Sequence, residues 1–381
     1  MNILLFDMGS YTYNDILECL VHMGHSVSTV YYCFQNRIKD DFFEERFRKK
    51  IGERPIDAVF SVNFFPLVSK IANESGIPYI SWSYDSPLAP ELEDYFEADT
   101  NYVYLFDRIE VSRYRQKGYS RVFHMPLAAN VRRIQQLSFS SEASAKYTSD
   151  ISFVGQLYEE PVLTTFMASM DEYSRGYVDA LLQAQLNTYG ADLLTGAIGE
   201  DLINRINKSR EALGLTNVLS ARALTFAIQK QITFAERVTL LSTFGEHFKT
   251  KYYNTKNFDF GTNVEFMGPV KYLTEMPGVF RFGGLSLCPT VRCILSGIPL
   301  RALDIMASGG VLFSNYQPEL AESFEDNVDV IMYGSLEEAF DKAAYYLEHD
   351  KEREKIAING LEKTKKDFCY SDRLSRMLAM L

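Results

Sequence analysis

The part of the sequence with the clearest chemical potential runs from Thr290 to Pro318 and reads TVRCILSGIPLRALDIMASGGVLFSNYQP. Ser296 and Gly297 predict a loop, and Pro299 stands where the first residue of a helix is expected. The N–H groups at that helix start would face outward, with the positive end of the helix dipole behind them. Such a helix start binds phosphate groups, so we expect it to hold a diphosphate.

Two charged residues in this helix extend the predicted anion site. Arg301 and Asp304 are three positions apart and therefore share one helix face. The guanidinium can join the anion, and the carboxylate can accept hydrogen bonds from the paired hydroxyls of a ribose. The alternative is a surface ion pair between the two side chains. The loop after the next buried strand adds three polar candidates on the ligand side, Asn315, Tyr316 and Gln317.

The first half of the chain offers candidates for acid–base chemistry. Asp85 follows a predicted strand, Tyr79–Ser83, and a partly desolvated carboxylate there can take the proton of an attacking hydroxyl. Asp85 is therefore the preferred general base if the reaction inverts configuration; the alternative is an aspartate that caps the Ser-Pro turn after it. His124 ends the predicted strand Val122–Met125 and is the alternative base, because imidazole titrates near neutral pH.

Two glycines and two further side chains complete the candidate set. Gly9 and Gly155 each follow the first strand of one half of the chain, where a backbone without a side chain lets a ligand approach closely. As ordinary turns they would need no function. Tyr158 and Arg281 are further candidates for contacts with a phosphate or a sugar.

Alternating strand-like and helical stretches must position these residues. Residues 1–136 contain repeated β-α units, which predict a parallel sheet covered by helices, a Rossmann-like domain on the acceptor side. A linker is expected at 137–149 and a second Rossmann-like domain at 150–366, with a helical insertion at about 161–249. Residues 367–381 predict a helix that packs back on the first domain. Two such domains facing one another leave a cleft at the carboxyl ends of their strands, where α/β proteins bind ligands.

Composition excludes several functions. The formal net charge of −11 disfavours long-range attraction of nucleic acid. No stretch approaches the roughly 18 consecutive apolar residues of a membrane helix, and the first residues lack a basic signal region, so we expect a cytoplasmic protein without an anchor. The five cysteines lack the spacing of a zinc site and predict thiols rather than disulfides or a metal site.

Several motifs of nucleotide chemistry are absent. No G-x-G-x-x-G follows the first strand, which disfavours NAD and FAD, and neither G-x-x-x-x-G-K-[ST] nor G-x-S-x-G occurs. We therefore expect no cofactor.

From Ser296 onward the sequence resembles the CgeB-like group of bacterial glycosyltransferases, named after a spore maturation protein. The matching segments are SGIPLRALDIMASGG, FSNYQPEL, VIMYGSLEEA, AAYYLEHDKEREKIAINGLEKT and the final DRLSRML. In the earlier part of the chain, DISFVGQLYEE and WSYDSP also look like this group. The resemblance covers nearly the whole chain and is most specific in the last third.

The resemblance implies the GT-B fold, with two Rossmann-like domains, a nucleotide-sugar donor held mainly by the second, and no requirement for a metal ion. Many GT-B enzymes carry two Glu eight positions apart on this loop and helix, the second at the nucleotide ribose and the first at the donor sugar or phosphate. Asp304 stands at the second position and keeps a ribose contact plausible, whereas Ser296 stands at the first and carries no charge. This departure leaves the donor sugar and the stereochemistry open.

Together with the predicted anion site, the resemblance implies a metal-independent glycosyltransferase that moves a sugar from a nucleotide-diphosphate sugar to an acceptor hydroxyl or similar nucleophile. Arg301 would stabilise the departing diphosphate, because that group gains charge as the glycosidic bond breaks. The alternatives are a catalytically inactive nucleotide-sugar-binding scaffold, favoured by Ser296, and a nucleotide-sugar epimerase on the same fold. The acceptor (glycan, protein or small molecule), the role of the insertion and homodimer formation stay open.

Overall fold

The computed structural model describes residues 1–159 and 161–381, and its contacts divide them into two compact units. Unit 1 comprises Met1–Gln136, Ser296–Ala307 and Lys363–Leu381, and unit 2 comprises Leu137–Leu295 and Ser308–Glu362. Glu160, the last residue of the DISFVGQLYEE segment, lies outside the described residues.

Each unit contains one six-stranded sheet in which all neighbouring strands are parallel. The strands of unit 1 have the order β2-β1-β3-β4-β5-β6 and are β1 (Asn2–Asp7), β2 (Ser26–Tyr31), β3 (Ala58–Val62), β4 (Tyr79–Ser83), β5 (Asn101–Leu105) and β6 (Val122–His124). Those of unit 2 have the order β12-β11-β10-β7-β8-β9 and are β7 (Ser149–Val154), β8 (Thr250–Tyr253), β9 (Val264–Phe266), β10 (Gly283–Leu287), β11 (Leu312–Asn315) and β12 (Ile331–Tyr333).

The helices connect these strands. They are α1 (Tyr13–His22), α2 (Asp41–Gly52), α3 (Pro66–Glu74), α4 (Arg108–Gln116), α5 (Val131–Gln135), α6 (Ser141–Tyr147), α7 (Val162–Ala168), α8 (Glu172–Leu186), α9 (Leu194–Ala197), α10 (Glu200–Ala212), α11 (Ala221–His247), α12 (Met276–Phe282), α13 (Leu300–Ala307), α14 (Pro318–Ser323), α15 (Leu336–Glu348), α16 (Asp350–Asp367) and α17 (Tyr370–Leu378), with a 3-10 helix at Pro90–Tyr95. The predicted α/β class is confirmed.

Burial explains why these segments form central strands. All five residues of β3 and of β4 are buried, as expected for strands covered by helices on both faces. The edge strand β2 is instead largely exposed or half-buried. In unit 2, β8 is buried at all four positions and lies between β7 and β9, although it was not predicted as a strand.

The predicted helical insertion corresponds to α7–α11, between β7 and β8. These helices have a core of their own, which includes Leu163, Val178, Leu194, Ile206 and Ile228. Because this core is separate from the core beneath the sheet, the insertion adds a helical layer to the Rossmann-like plan.

The expectation of a linker at 137–149 requires a correction. This segment contains α6 and packs within unit 2: the rings of Phe139 and Phe282 lie 5.5 Å apart, and Tyr147 is buried. Aromatic burial therefore holds it as a structured element. At the other end of the chain, α17 is part of unit 1, where the ring of Tyr370 lies 5.8 Å from that of Trp82. Among the residues described, no helix combines the length and apolarity needed to cross a bilayer.

Candidate functional site

The topology of unit 2 indicates where a ligand would bind. From β7 the chain continues to β8 and β9 on one side and then returns to β10 on the other side of β7. The place where the strand order changes direction is called the switch point of the sheet, and here it lies between β7 and β10. Open α/β sheets bind ligands outside the carboxyl ends of the strands at such a point. Gly155 lies there directly after β7, and its N–H donates to the carbonyl of Tyr253 at 3.2 Å. Pro289 and Thr290 lie there after β10.

Two cations of the helical insertion reach this site. Tyr158 has a left-handed backbone with φ of 65°, and its ring centroid lies 5.1 Å from Nζ of Lys230 and 5.2 Å from Cζ of Arg237. The two cations are seven positions apart on α11 and therefore share one face of that helix. Neither cation was predicted as a site residue, because neither belongs to a motif; their spacing on one helix was the available signal.

Arg237 connects the two loops at the switch point. Its guanidinium donates to the carbonyl of Gln156 after β7 and, at 2.6 Å, to the carbonyl of Pro289 after β10. It lies between the rings of Phe153 and Tyr158, at 5.3 and 5.2 Å, and burial lowers the pKa of its guanidinium. Arginine stays charged in proteins, so this burial places a fixed positive charge beside both loops.

The predicted candidates after β11 serve two different purposes. Asn315 is buried, and its Oδ1 accepts from the N–H of Thr290 at 2.6 Å. Gln317 is also buried, and its Nε2 donates to the carbonyl of Ile294 at 3.0 Å. Both therefore position the loop after β10, whereas Tyr316 is exposed and available to a ligand.

Arg281 lies at the other edge of the sheet. It belongs to α12, which ends immediately before β10 begins, so it lies at the amino end of that strand. Its guanidinium donates to the carbonyls of Ser308 at 3.2 Å and Leu137 at 3.1 Å. Because the switch point lies at the carboxyl ends, the structure does not bring Arg281 together with Gly155 or Tyr158, and we leave it out of the site.

The Ser296–Gly297 corner is packed within unit 1, contrary to the expectation of an outward-facing loop. The N–H and hydroxyl of Ser296 both donate to the carboxylate of Asp107, at 3.1 and 2.8 Å. Gly297 is buried against Phe106, so closely that a Cβ at this position would lie 2.6 Å from the phenyl ring. The N–H of Ser296 therefore already has its hydrogen-bond partner within unit 1 and is not available to a phosphate. The corner has a structural role, because it holds the start of α13 against α4.

Arg301 and Asp304 form an ion pair with each other, but the pair does not lie wholly at the surface as the alternative prediction had it. Nη1 of Arg301 lies 3.7 Å from Oδ2 of Asp304. The carboxylate is buried, whereas the arginine side chain keeps 33% of its surface exposed. Asp304 therefore orients Arg301, and the guanidinium is the group of this pair that a ligand can reach.

Unit 1 has its own switch point, between β1 and β3. Gly9 follows β1 with φ of 93°, and Ser10 turns back to donate its N–H and hydroxyl to Asp7 at 2.9 and 2.8 Å. Asn63 follows β3 with φ of 66°, in the left-handed region that is uncommon for a residue with a side chain. Both turns lie at the carboxyl edge of the sheet.

Asp85 lies at this edge of unit 1 and is fixed from two sides. Nδ2 of Asn63 donates to its Oδ2 at 2.8 Å, and Oδ1 of Asn63 accepts from the N–H of Tyr84 at 3.2 Å. Buried Glu110 of α4 accepts from the hydroxyl of Ser86 at 2.7 Å and from the next part of the loop, the N–H of Leu88, at 2.9 Å.

The same surroundings change the acidity of Asp85. Asp85 is exposed at the surface, and the protein around it removes only part of its solvation. This partial desolvation raises the pKa of its carboxyl group, although the bond from Asn63 and the charge of Arg37 oppose the rise. A raised pKa makes a carboxylate a stronger base, provided that it remains ionised at the working pH.

His124 is a weaker candidate for the base. Its Nε2 lies 3.2 Å from the carbonyl oxygen of Phe106. Because a carbonyl only accepts, Nε2 carries a proton in this arrangement, and only Nδ1 could receive another.

Comparisons with known proteins identify the fold. Residues 199–379 match the family described as glycosyl transferase-like. A sequence search of curated proteins finds no match.

Similar solved structures include a glycosyltransferase from Rickettsia africae ESF-5, with 10% identity, 100% of this chain and 97% of that chain covered and a TM-score of 0.55. Anabaena Alr3699/HepE, solved with UDP and glucose, has 12% identity, 100% coverage of both chains and a TM-score of 0.53. Sucrose-phosphate synthase from Thermosynechococcus elongatus has 12% identity, 100% and 98% coverage and a TM-score of 0.55.

The chain is therefore an α/β protein with the GT-B fold and two Rossmann-like domains, as predicted. The match to the glycosyl transferase-like family supports a glycosyltransferase as the class of enzyme. The narrower resemblance to the CgeB-like group stays a prediction.

Proposed function

We propose that this protein is a glycosyltransferase that moves a sugar from a nucleoside-diphosphate sugar to an acceptor hydroxyl or similar nucleophile. The observation that carries this proposal is the pair Lys230 and Arg237 at the carboxyl end of β7 in a GT-B fold. Two cations at the switch point of a doubly wound sheet suit an anionic nucleotide ligand.

On the donor side, Lys230 would contact the diphosphate while Arg237 holds the loops after β7 and β10 around it. Tyr158 offers a ring beside the same loops, and Gly155 allows close approach of the backbone. Arg301, which Asp304 orients within unit 1, is the side chain proposed from the sequence to stabilise the leaving diphosphate. We propose that these cations neutralise the diphosphate and that the reaction needs no metal ion.

On the acceptor side, Asp85 is the proposed general base for the case in which the transfer inverts the anomeric configuration. Its carboxylate would take the proton of the acceptor hydroxyl as the oxygen attacks the anomeric carbon of the donor. The bond to that carbon forms as the bond to the diphosphate oxygen breaks, and the diphosphate leaves with the electron pair. Asn63 and Glu110 support this role, because they fix the loop that carries the carboxylate.

Binding without transfer is the second candidate function. The feature that favours it is Ser296, whose N–H and hydroxyl are both occupied by Asp107 at the position where many GT-B enzymes have their first Glu. A scaffold of this kind would bind the donor and release no product.

The test begins with a thermal-shift panel of UDP-, GDP-, TDP- and CMP-sugars, with UDP-glucose first because Alr3699/HepE was solved with UDP and glucose. A ligand that binds only the native state raises Tm. The donor that does so is then incubated with a mixture of acceptors, with and without EDTA, and nucleoside diphosphate release is measured. Release that requires an acceptor and survives EDTA supports the proposal.

The other outcomes separate the alternatives. A rise in Tm without release supports the scaffold, and conversion of the free donor without an acceptor supports an epimerase. No rise in Tm with any nucleotide sugar contradicts donor binding altogether.

A further inference from the structure

A second pocket lies in unit 2, away from the switch point. It is at the carboxyl ends of β11 and β12, the two strands farthest from β8 and β9 in the sheet order. Its volume is about 520 Å³, and its lining includes Tyr189, Tyr316, Phe324, Glu325, Tyr333 and Glu338. Tyr189 comes from the helical insertion, so the insertion builds one wall.

Two of the aromatic walls are held in place by a buried carboxylate. The hydroxyls of Tyr189 and Tyr333 donate to Oε1 of Glu236 at 3.0 and 3.3 Å, and Nε of Arg292 donates to its Oε2 at 2.9 Å. Burial, together with the charge of Glu236, raises the pKa of both phenols, so they stay protonated as donors. The walls are therefore preorganised rather than formed by the ligand.

The loop between α8 and α9 of the insertion also packs against the ring of Tyr316. Gly190 has a left-handed backbone with φ of 70°, and a Cβ there would lie 2.5 Å from the ring of Tyr316. Glycine at this position lets the insertion pack against the ring of Tyr316, which a larger residue would displace.

The rim of this pocket is negative. Lys342 neutralises part of it, since its Nζ lies 2.9 Å from Asp326 and 3.0 Å from Glu338. Glu338 also accepts from the N–H of Gly334 at 2.7 Å, and these contacts lower the pKa of its carboxyl against the opposing effect of burial. Glu325 is exposed on the rim and forms no ion pair with any residue in the described ranges 1–159 and 161–381. The rim thus carries the three carboxylates of Glu325, Asp326 and Glu338 and the single positive charge of Lys342. This excess of negative charge repels phosphate groups.

We propose that this pocket binds a protonated amine carried on a small apolar or sugar-like body. The faces of aromatic rings attract cations. The ring of Tyr189 already makes one such contact, with Arg292, which does not line the pocket and whose guanidinium lies 3.9 Å from the ring centroid. The exposed carboxylate of Glu325 supplies the counter-charge, and Phe324 and Met332 supply an apolar floor. The inference is independent of the proposed transfer reaction, since it concerns a different pocket and a different charge.

Calorimetric titration of the full chain tests the proposal, with glucosamine and choline as amine probes and glucose and N-acetylglucosamine as neutral probes. We expect the amines to bind and the neutral sugars to bind at least tenfold more weakly. Binding of both amines indicates that the ammonium group suffices, and binding of glucosamine alone indicates an amino sugar. Equal binding of glucosamine and N-acetylglucosamine, or no binding of either amine, overturns the assignment.

A pair of variants locates the site. Glu325→Gln should weaken amine binding about threefold to fivefold, the range expected for one exposed ion pair. Glu337→Gln removes one carboxylate from the exposed start of α15, outside the pocket lining, and should leave affinity unchanged. Both positions are exposed, so both variants should fold, which an unchanged Tm verifies. An equal effect of the two variants, or no effect of Glu325→Gln, would place the amine elsewhere and overturn the proposal.

Discussion

Ser296 gives both its backbone N–H and its hydroxyl to the carboxylate of Asp107, at 3.1 and 2.8 Å, across 189 positions of sequence. The same carboxylate caps α4 by accepting from the N–H groups of Ile109 and Glu110. Ser296, which stands where the resemblance leads us to expect the first Glu, therefore has a structural role in unit 1: through Asp107 it ties the segment before α13 to the start of α4. A Glu side chain there would meet the carboxylate of Asp107 in a fully buried space.

Asp85→Asn should reduce kcat about 10²-fold to 10⁴-fold if Asp85 is the general base. Because desolvation raises the pKa of Asp85 in the folded protein, its charged form disfavours the fold. The stability that this group contributes is present below its unfolded pKa of about 4 and is lost as pH rises through the folded pKa. Asp85→Asn should therefore keep or raise Tm at pH 7.

The pH profile provides the check on that variant. In the wild type, kcat/KM should fall as pH drops through the raised pKa of Asp85, and the residual activity of Asp85→Asn should lack this acid limb. A normal kcat in the variant would remove Asp85 from the mechanism.

Arg301→Ala should lower turnover by about 10²-fold or more, because it removes a preorganised charge from the leaving diphosphate. Asp304→Asn keeps the shape of the partner but not its charge, so it should show a smaller loss in the same parameter. Steady-state kinetics with the identified donor measures both. A larger loss for Asp304→Asn than for Arg301→Ala would contradict the view that Asp304 acts by orienting Arg301.

Lys230→Met should weaken binding of the nucleoside diphosphate about tenfold, since a hydrogen bond to a charged group contributes roughly 1.5–3 kcal/mol. The control is Lys208→Met on α10, which removes an exposed lysine of the same insertion. Calorimetry with UDP, or with the diphosphate selected by the panel, compares the two. Equal affinity in both variants would place the diphosphate away from α11.

Glu110→Gln should lower kcat while KM for the donor changes little. The two bonds use different oxygens of Glu110, from the hydroxyl of Ser86 at 2.7 Å and the N–H of Leu88 at 2.9 Å. Glutamine replaces one of these oxygens with an NH₂ group that cannot accept, so one of the two bonds is lost in its present form. The loop that carries Asp85 would then lose part of its support. The pH profile separates this role from a general loss of structure, because the acid limb assigned to Asp85 should persist at reduced amplitude.

Asp15→Ala should destabilise unit 1 by about 3–5 kcal/mol, the usual cost of removing one partner of a buried ion pair. Asp15 is almost fully buried and accepts two bonds from Arg133, at 2.6 and 3.0 Å, and one from Asn130 at 2.9 Å. Urea unfolding should show a lower midpoint. An unchanged midpoint would mean that Arg133 finds another partner or water.

Local pattern was sufficient to predict the two sheets and most of the residues at the ends of their strands. Runs such as Ala58–Val62 and Tyr79–Ser83 are apolar enough to be buried on both faces, and Gly9, Gly155 and Asp85 lie at strand ends as expected. The strand Thr250–Tyr253 was not predicted, because its threonine, lysine and tyrosines do not form an apolar run. It is buried all the same, because it lies between two neighbouring strands of the sheet.

The sequence by itself determined the fold class and the strand ends at which chemistry can occur, because both follow from periodicity over a few residues. Only the tertiary structure decided which side chains meet there. It joined Ser296 to Asp107, brought Arg237 to Pro289 and placed Arg281 at the opposite edge of its sheet. Those outcomes depend on contacts between residues up to 189 positions apart. A pattern of neighbouring residues carries no information about such contacts, so they could not be predicted from it.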